Sequence, residues 1–361
     1  MESRLYSWMS RVPRSCPSGF KGSVVSIARV ACCVGLLFAG LSFARGANAQ
    51  EASSLGEPVI GAARTPKDKA DLRQWLENMI SFHGMSFEEV EAAIDLPRDE
   101  IQSAIEELQL LPYQGVKRES ASRLVMKPYP GGRHPRIGFL DGAIRPQRET
   151  KFSVFLPWDP TSYVVADIPE AIWSNLGLTY LAHTHIDTIW DQAGKKLEPL
   201  EWERKGEDHL SLERTLPNGI RFRSEAKVQG QQVLMRMSLY NGTGQMLSDL
   251  RVQNCIMLKA AKGFNQQVRE NKVIRGSYVA CHDEEKKRWI ITSWQPIHRA
   301  WGNPPCPCLH ADPRFPDTAA GESNELVGIL SFYEGEEIET ELNRLRHQNW
   351  ELAWSNKPAN N

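Results

Sequence analysis

The sequence lacks any apolar run long enough for a comfortable membrane span. Its clearest one, residues 30–44, has 15 residues, against about 20 for a helix that crosses a bilayer. A polytopic membrane protein is thereby excluded. Cysteine is scarce, seven in 361 residues, so no dense disulfide framework holds the fold. Neither charge sign dominates: 43 basic residues face 44 acidic ones. The motif inventory is equally bare. There is no Walker A loop, no G-x-S-x-G, no G-x-G-x-x-G after a strand and no H-E-x-x-H. Internal repeats and low-complexity tracts are missing too. What remains is an ordinary globular composition, 41% apolar and 24% charged.

The N-terminus carries a signal. Arg4, Arg11, Arg14, Lys21 and Arg29 precede the apolar run, and Ala47-Asn48-Ala49-Gln50 follows it. A basic region, a short apolar run and a small-x-small site predict a secretory signal peptide over 1–49, cleaved near Ala49-Gln50. The expected location is periplasmic or secreted, with no stable membrane span after processing. Six basic residues and one acidic residue lie within 1–49, which leaves 37 basic against 43 acidic ones. An acidic exported chain is a poor partner for nucleic acid.

A linker over 50–66 leads into a helical pattern. Leu72, Leu76, Met79 and Ile80 share helical spacing up to Gly84. Ser86 with Glu89 predicts a capping box for a second helix. Ile101, Ile105 and Leu108 stripe a third, after Asp95-Leu96-Pro97. This small bundle, 67–112, resembles a helix-turn-helix. Between residues 86 and 108, however, eight acids face one base, Arg98. That sign excludes a recognition helix on phosphates and leaves packing on the main domain or on an envelope partner.

From about residue 123 to 361 the period changes to two. Val233, Met235, Met237 and Leu239 alternate with Leu234, Arg236 and Ser238. Turn signals separate the short runs: Pro130-Gly131-Gly132, Asp141-Gly142, Pro217-Asn218-Gly219 and Asn241-Gly242, the last read as a hairpin. Many short strands at such spacing predict a mainly β chain. The expected form is one large antiparallel β-sandwich closed by a helix bearing Ile338, Leu342 and Leu345.

The stretch from Arg214-Thr215-Leu216-Pro217-Asn218-Gly219-Ile220 to Met235-Arg236-Met237-Ser238-Leu239-Tyr240-Asn241-Gly242-Thr243, then Leu247 and Leu250, resembles the central strands of galactose-mutarotase-like β-sandwiches. That resemblance implies a supersandwich-like fold and sugar chemistry. The region from Tyr129-Pro130-Gly131-Gly132-Arg133-His134-Pro135 to Ser331-Phe332-Tyr333-Glu334-Gly335 resembles an uncharacterised family of exported bacterial proteins. This second likeness implies export and brings no activity.

Three features carry chemistry. His183, His185 and Asp187 alternate after a strand-like run, so both imidazoles would share one face. Gly177, five residues and His183-Thr184-His185 partly resemble the first cupin motif, with Ile189 and Trp190 where its glutamate should stand. A second cluster runs from His298 through Trp301, Cys306-Pro307-Cys308 and His310 to Asp312, read as a stiff proline loop. Its cysteines are open to three readings: disulfides with Cys255 or Cys281, soft-metal ligands, or thiols. Tryptophan is the third feature, with Trp190, Trp294 and Trp301 as candidates to stack on sugar rings.

The resulting expectation is a carbohydrate-binding or carbohydrate-active sandwich. His183, His185, His298 and Asp312 are its acid–base candidates. The alternatives are a metal-binding β-protein holding a zinc-like divalent ion through His183, His185 and His310, or a non-enzymatic envelope interaction protein.

Overall fold

The computed structural model describes residues 63–117, 124–135, 148–182, 186–303 and 306–354. Residues 1–49, read above as a leader, most of the expected linker, Asp141-Gly142, His183 and His185 lie outside the described residues.

Helix α1, Lys69–Leu76, starts at Asp68, whose carboxylate accepts from the Asp71 amide. It continues into a π-helical segment, Glu77–Phe82, and Gly84 ends it at φ +59°, where the absence of a Cβ removes the strain. Helix α2, Phe87–Ile94, has the expected capping box. Ser86 N donates to Glu89 Oε2 at 2.9 Å, and Glu89 N donates to Ser86 Oγ at 3.3 Å. Helix α3, Arg98–Glu107, follows Pro97 directly.

The strands form two antiparallel sheets. The first, seven-stranded, has the order β1 (Val125–Pro128), β2 (Lys151–Phe155), β3 (Tyr163–Ser174), β9 (Arg251–Met257), β14 (Cys308–Pro313) and β13 (Ile297–Asn303), with β4 (Gly177–Leu181) also on β3. After β4 comes one helical turn, α4 (Ile189–Gln192). The second, eight-stranded, has the order β10 (Lys272–Arg275), β11 (Tyr278–His282), β12 (Arg288–Gln295), β15 (Ser323–Glu334), β8 (Gln232–Asn241), β7 (Ile220–Gln229), β6 (His209–Thr215) and β5 (Glu203–Arg204).

The sheets share one apolar core. Phe152, Val164, Ile256 and Leu309 meet Phe222, Met235, Ile290 and Leu330 there. Alternation fixes which residues face it: Val233, Met235, Met237 and Leu239 point inward, while Leu234 points outward. The outward face of the eight-stranded sheet is covered by α5, Ile338–His347, through Leu342 and Leu345. The outward face of the seven-stranded sheet meets the N-terminal bundle. Leu76, Met79, Val90 and Ile101 pack there with Phe155, Tyr163, Cys255 and Cys308. The chain therefore stacks helices, sheet, sheet and helix.

Three sequence expectations change. Asn241-Gly242 is not a hairpin, because β8 and β9 belong to different sheets. Asn241 holds the crossing instead, its Nδ2 donating to Gln245 O and Thr318 O, both at 2.8 Å. The His298 to Asp312 segment is not a proline loop but two paired strands, β13 and β14. Trp190 and Trp294 are core residues, 6% and 1% exposed, so neither offers a face to a sugar. Trp190 Nε1 donates to Thr179 O at 2.7 Å. Trp294 lies over Gly328, where a Cβ would come within 2.4 Å of the indole.

Candidate functional site

The chemistry concentrates on the seven-stranded sheet, on the face turned toward the bundle. Register sets Lys151 beside Asp167, Asp167 beside Cys255 and Trp301 beside His310. Cys308 pairs with Met257 and Leu309 with Ile256. One further step in that register sets His310 beside Cys255. Direct cross-strand neighbours share a face, so Lys151, Asp167, Cys255, His310 and Trp301 form one row across five strands.

At one end of the row is a buried ion pair. Lys151 Nζ lies 3.0 Å from Asp167 Oδ2, with side-chain exposures of 1% and 0%. Thr150 Oγ1 donates to Asp167 Oδ1 at 2.5 Å. Such a pair adds little net stability, since desolvation offsets most of the attraction.

The centre of the row is a thiol–imidazole cluster. One ligand atom each from Cys255, Cys308 and His310 lies within 4.8 Å of the others, and all three residues are buried. Cys308 Sγ is 3.3 Å from His310 Nε2. His310 Nδ1 lies 2.8 Å from Asn254 O. A carbonyl only accepts, so the proton sits on Nδ1 and the Nε2 lone pair faces Cys308 Sγ. The Cys255 and Cys306 thiols, together with burial, hold the Cys308 thiol well above its usual range. No disulfide joins any of the four described cysteines. Cys281 lies in the sandwich core, apart from the other three, and burial pushes its thiol up to about 12.

The far end is a polar clamp. The Trp301 indole stacks on His310 with ring centres 4.0 Å apart and planes 10° apart. Trp301 Nε1 donates to Asp312 Oδ2 at 2.7 Å, and Arg299 Nη2 donates to the same oxygen at 2.8 Å. The Arg299 guanidinium also lies over the indole, 4.5 Å from its centre. Burial pushes the Asp312 carboxyl up to about 6, against the opposing pull of Arg299 and Trp301. Stacked on the imidazole and bonded to Asp312, the Trp301 indole orients His310.

His298 sits at the β-bulge between Ile297 and Arg299 and is exposed. Bulges re-aim side chains at sheet edges. Burial first, then the charges of Arg314, Arg251 and Arg299, lower its proton affinity. Asp249 joins two of these arginines, 3.1 Å from Arg251 Nε and 3.3 Å from Arg314 Nη2. Arg251 also lies 6.0 Å from the centre of the Trp173 ring.

The structure thus brings together His310, Cys255, Cys306, Cys308, Asp312 and Trp301. It leaves Cys281, Trp190 and Trp294 elsewhere. Lys151, Asp167 and the three arginines carry no signal in the sequence. A lysine, an aspartate or an arginine on a strand looks like ordinary solvated surface until register is known.

No family model matches the chain, and no curated protein matches it. Among solved structures, an Escherichia coli K12 protein assigned as an aldose 1-epimerase aligns over 38% of this chain and 69% of its own, at 11% identity and TM-score 0.30. A human-microbiome protein assigned as a kojibiose phosphorylase aligns over 66% of this chain and 30% of its own, at 6% identity and TM-score 0.31. A heparan sulfate lyase HepC mutant from Pedobacter heparinus aligns over 74% of this chain and 46% of its own, at 10% identity and TM-score 0.32. All three are named for sugar substrates.

Proposed function

We propose that this chain is a carbohydrate-binding β-sandwich protein, and that its ligand face is the β13–β14 edge with the adjoining end of β9. The observation that carries the reading is the gathering of Arg251, Arg299 and Arg314 around exposed His298. Three guanidiniums stand there against two carboxylates, Asp249 and Asp312. Planar guanidiniums match carboxylate and sulfate groups, which favours an acidic glycan over a neutral one. Half-buried Trp173 beside Arg251 supplies an apolar surface for a sugar ring. If mutarotase-like chemistry occurs here, His298 is the base, since its surroundings keep the imidazole neutral. Export, inferred from the leader, would bring this edge to envelope glycans. An intact Met1 in protein from the native host would sink that part.

Calorimetric titration with carboxylated and sulfated oligosaccharides, beside neutral ones, tests the reading. Charged ligands should bind, more weakly as salt rises. Arg314→Ala should weaken binding about fivefold, about 1 kcal/mol. Absence of binding, or binding indifferent to Arg251→Ala and Arg314→Ala, rejects the edge as a glycan site.

A further inference from the structure

We propose that Cys255, Cys306, Cys308 and His310 form a closed tetrahedral site for a thiophilic d10 cation, zinc above all, between the seven-stranded sheet and the N-terminal bundle. The proposal stands independently of glycan binding at the sheet edge.

Geometry is the first support. A zinc ion takes sulfur at about 2.3 Å and imidazole nitrogen at about 2.0–2.1 Å, so tetrahedral S and N ligands sit about 3.5 Å apart and two sulfurs about 3.8 Å apart. Cys308 Sγ and His310 Nε2 are 3.3 Å apart. The whole Cys255, Cys308 and His310 set lies within 4.8 Å. Side-chain movements of about 1 Å bring all three to bonding distance.

The imidazole is set as a ligand should be. Metal-bound histidines donate their other nitrogen to a carbonyl or carboxylate, which fixes tautomer and ring plane. His310 Nδ1 has Asn254 O at 2.8 Å, supplied by the residue next to Cys255. Trp301, stacked on the ring and tied to Asp312, holds the plane.

The fourth ligand is Cys306. Cys306 is buried in the turn just before β14, in the same apolar cluster as Cys255 and Cys308. Its thiol interacts with Cys308, and it swings in to join the 4.8 Å set of the other three ligands on binding. Binding balances simply. Three S–H bonds break and three protons pass to solvent, while three metal–sulfur bonds and one metal–nitrogen bond form. A divalent ion with three thiolates leaves one net negative charge. The Lys259 ammonium, which interacts electrostatically with Cys306, is placed to offset it.

Neither apolar packing nor a disulfide accounts for the whole cluster. Isolated buried cysteines often act as small apolar residues, but that does not explain an imidazole nitrogen set against the Cys308 sulfur with a second sulfur within 4.8 Å. A disulfide between Cys255 and Cys308 would leave the same imidazole without a role.

The test is cobalt titration of the full-length, reduced and chelator-treated protein. One equivalent should give an intense thiolate-to-cobalt charge-transfer band and the visible bands of a tetrahedral ion, and zinc should then displace the cobalt. Proton release at fixed pH should accompany binding. Cys281→Ser should leave the titration unchanged. Trp301→Ala should weaken the metal about tenfold, and Cys308→Ser should abolish the bands. Because Cys308→Ser could fail to fold, thiol counting on denatured, unreduced wild type provides the second readout. The full-length chain has seven cysteines; seven reactive thiols after chelation agree with the proposal, and five indicate a disulfide and overturn it. No cobalt spectrum from reduced wild-type protein overturns it as well.

Discussion

The outer faces of the two sheets are built on opposite principles. Each is covered by helix. Under α5, the eight-stranded sheet presents Leu234, Ala280, Ile291 and Ile329 to Leu342 and Leu345. Burial of apolar surface, roughly 1.5–3 kcal/mol per large side chain, explains that contact without help. Under the bundle, the seven-stranded sheet mixes Phe155 and Tyr163 with Lys151, Asp167, Ser153, Cys255, Cys308 and His310. Burying polar groups costs free energy unless each finds a partner. A cover that only had to hide a sheet could have used the first solution. The second face therefore carries groups retained for something besides stability.

The strongest way to break this comparison is to unbalance the ion pair. Asp167→Ala strands the Lys151 ammonium and leaves Thr150 without its acceptor. We expect a loss of about 3–5 kcal/mol in urea unfolding. Replacing both partners, Lys151→Met with Asp167→Leu, should recover most of that loss. If Asp167→Ala alone costs less than about 1 kcal/mol, the row is not buried in solution and the contrast between the faces fails.

His83 sharpens the same contrast through pH. Its ring is fully buried among Tyr129, Phe155 and Tyr163. Nδ1 bonds Asn78 O at 2.8 Å, and Nε2 accepts from Ser153 at 2.7 Å. Burial chiefly, helped by the nearby Arg133 charge, pushes its pKa down to about 3. The unfolded chain takes up this proton below its ordinary value of 6.5, whereas the folded chain resists until about pH 3. Stability from this group is therefore present above pH 6.5 and lost as pH falls toward 3. The loss is on the order of 4 kcal/mol. His83→Gln should flatten the fall, as measured by urea midpoints across that range. An unchanged pH profile would contradict the burial.

Much of this architecture is written in local pattern. The capping box at Ser86 and Glu89, the strand alternation at Val233, Met235, Met237 and Leu239, and the stripe at Ile338, Leu342 and Leu345 are short-range signals. They survive because each element's exposed and buried sides differ. The partition of strands between sheets is not local. Asn241-Gly242 looks like a hairpin, yet the chain crosses there to the other sheet. The site was half legible. Cys306, Cys308 and His310 stand out by alternation, but Cys255 joins them only through the β9–β14 register, about fifty residues away in sequence. Trp190 and Trp294 illustrate the opposite error, because tryptophan serves both cores and sugar sites and composition cannot tell them apart.

The smallest expected effect tests how each cover is held. Helix α5 begins at Glu337 with no side-chain cap, so its contribution rests on Leu342 and Leu345. Helix α2 begins at Ser86 with both halves of a capping box, above a face where apolar burial alone is a weaker glue. Arg133, paired with Glu89, adds a tie from the loop at Gly132 to this same helix start. Ser86→Ala should therefore cost about 1 kcal/mol. It should also release the cover locally before the whole protein unfolds. The readout is the rate at which Cys255 and Cys308 react with a thiol reagent in metal-free, reduced protein. A rise of about fivefold at Cys308, with the rate at Cys281 unchanged, is the expected result. Equal acceleration at Cys281 would mean that the two faces open together and that the bundle is not a separable cover.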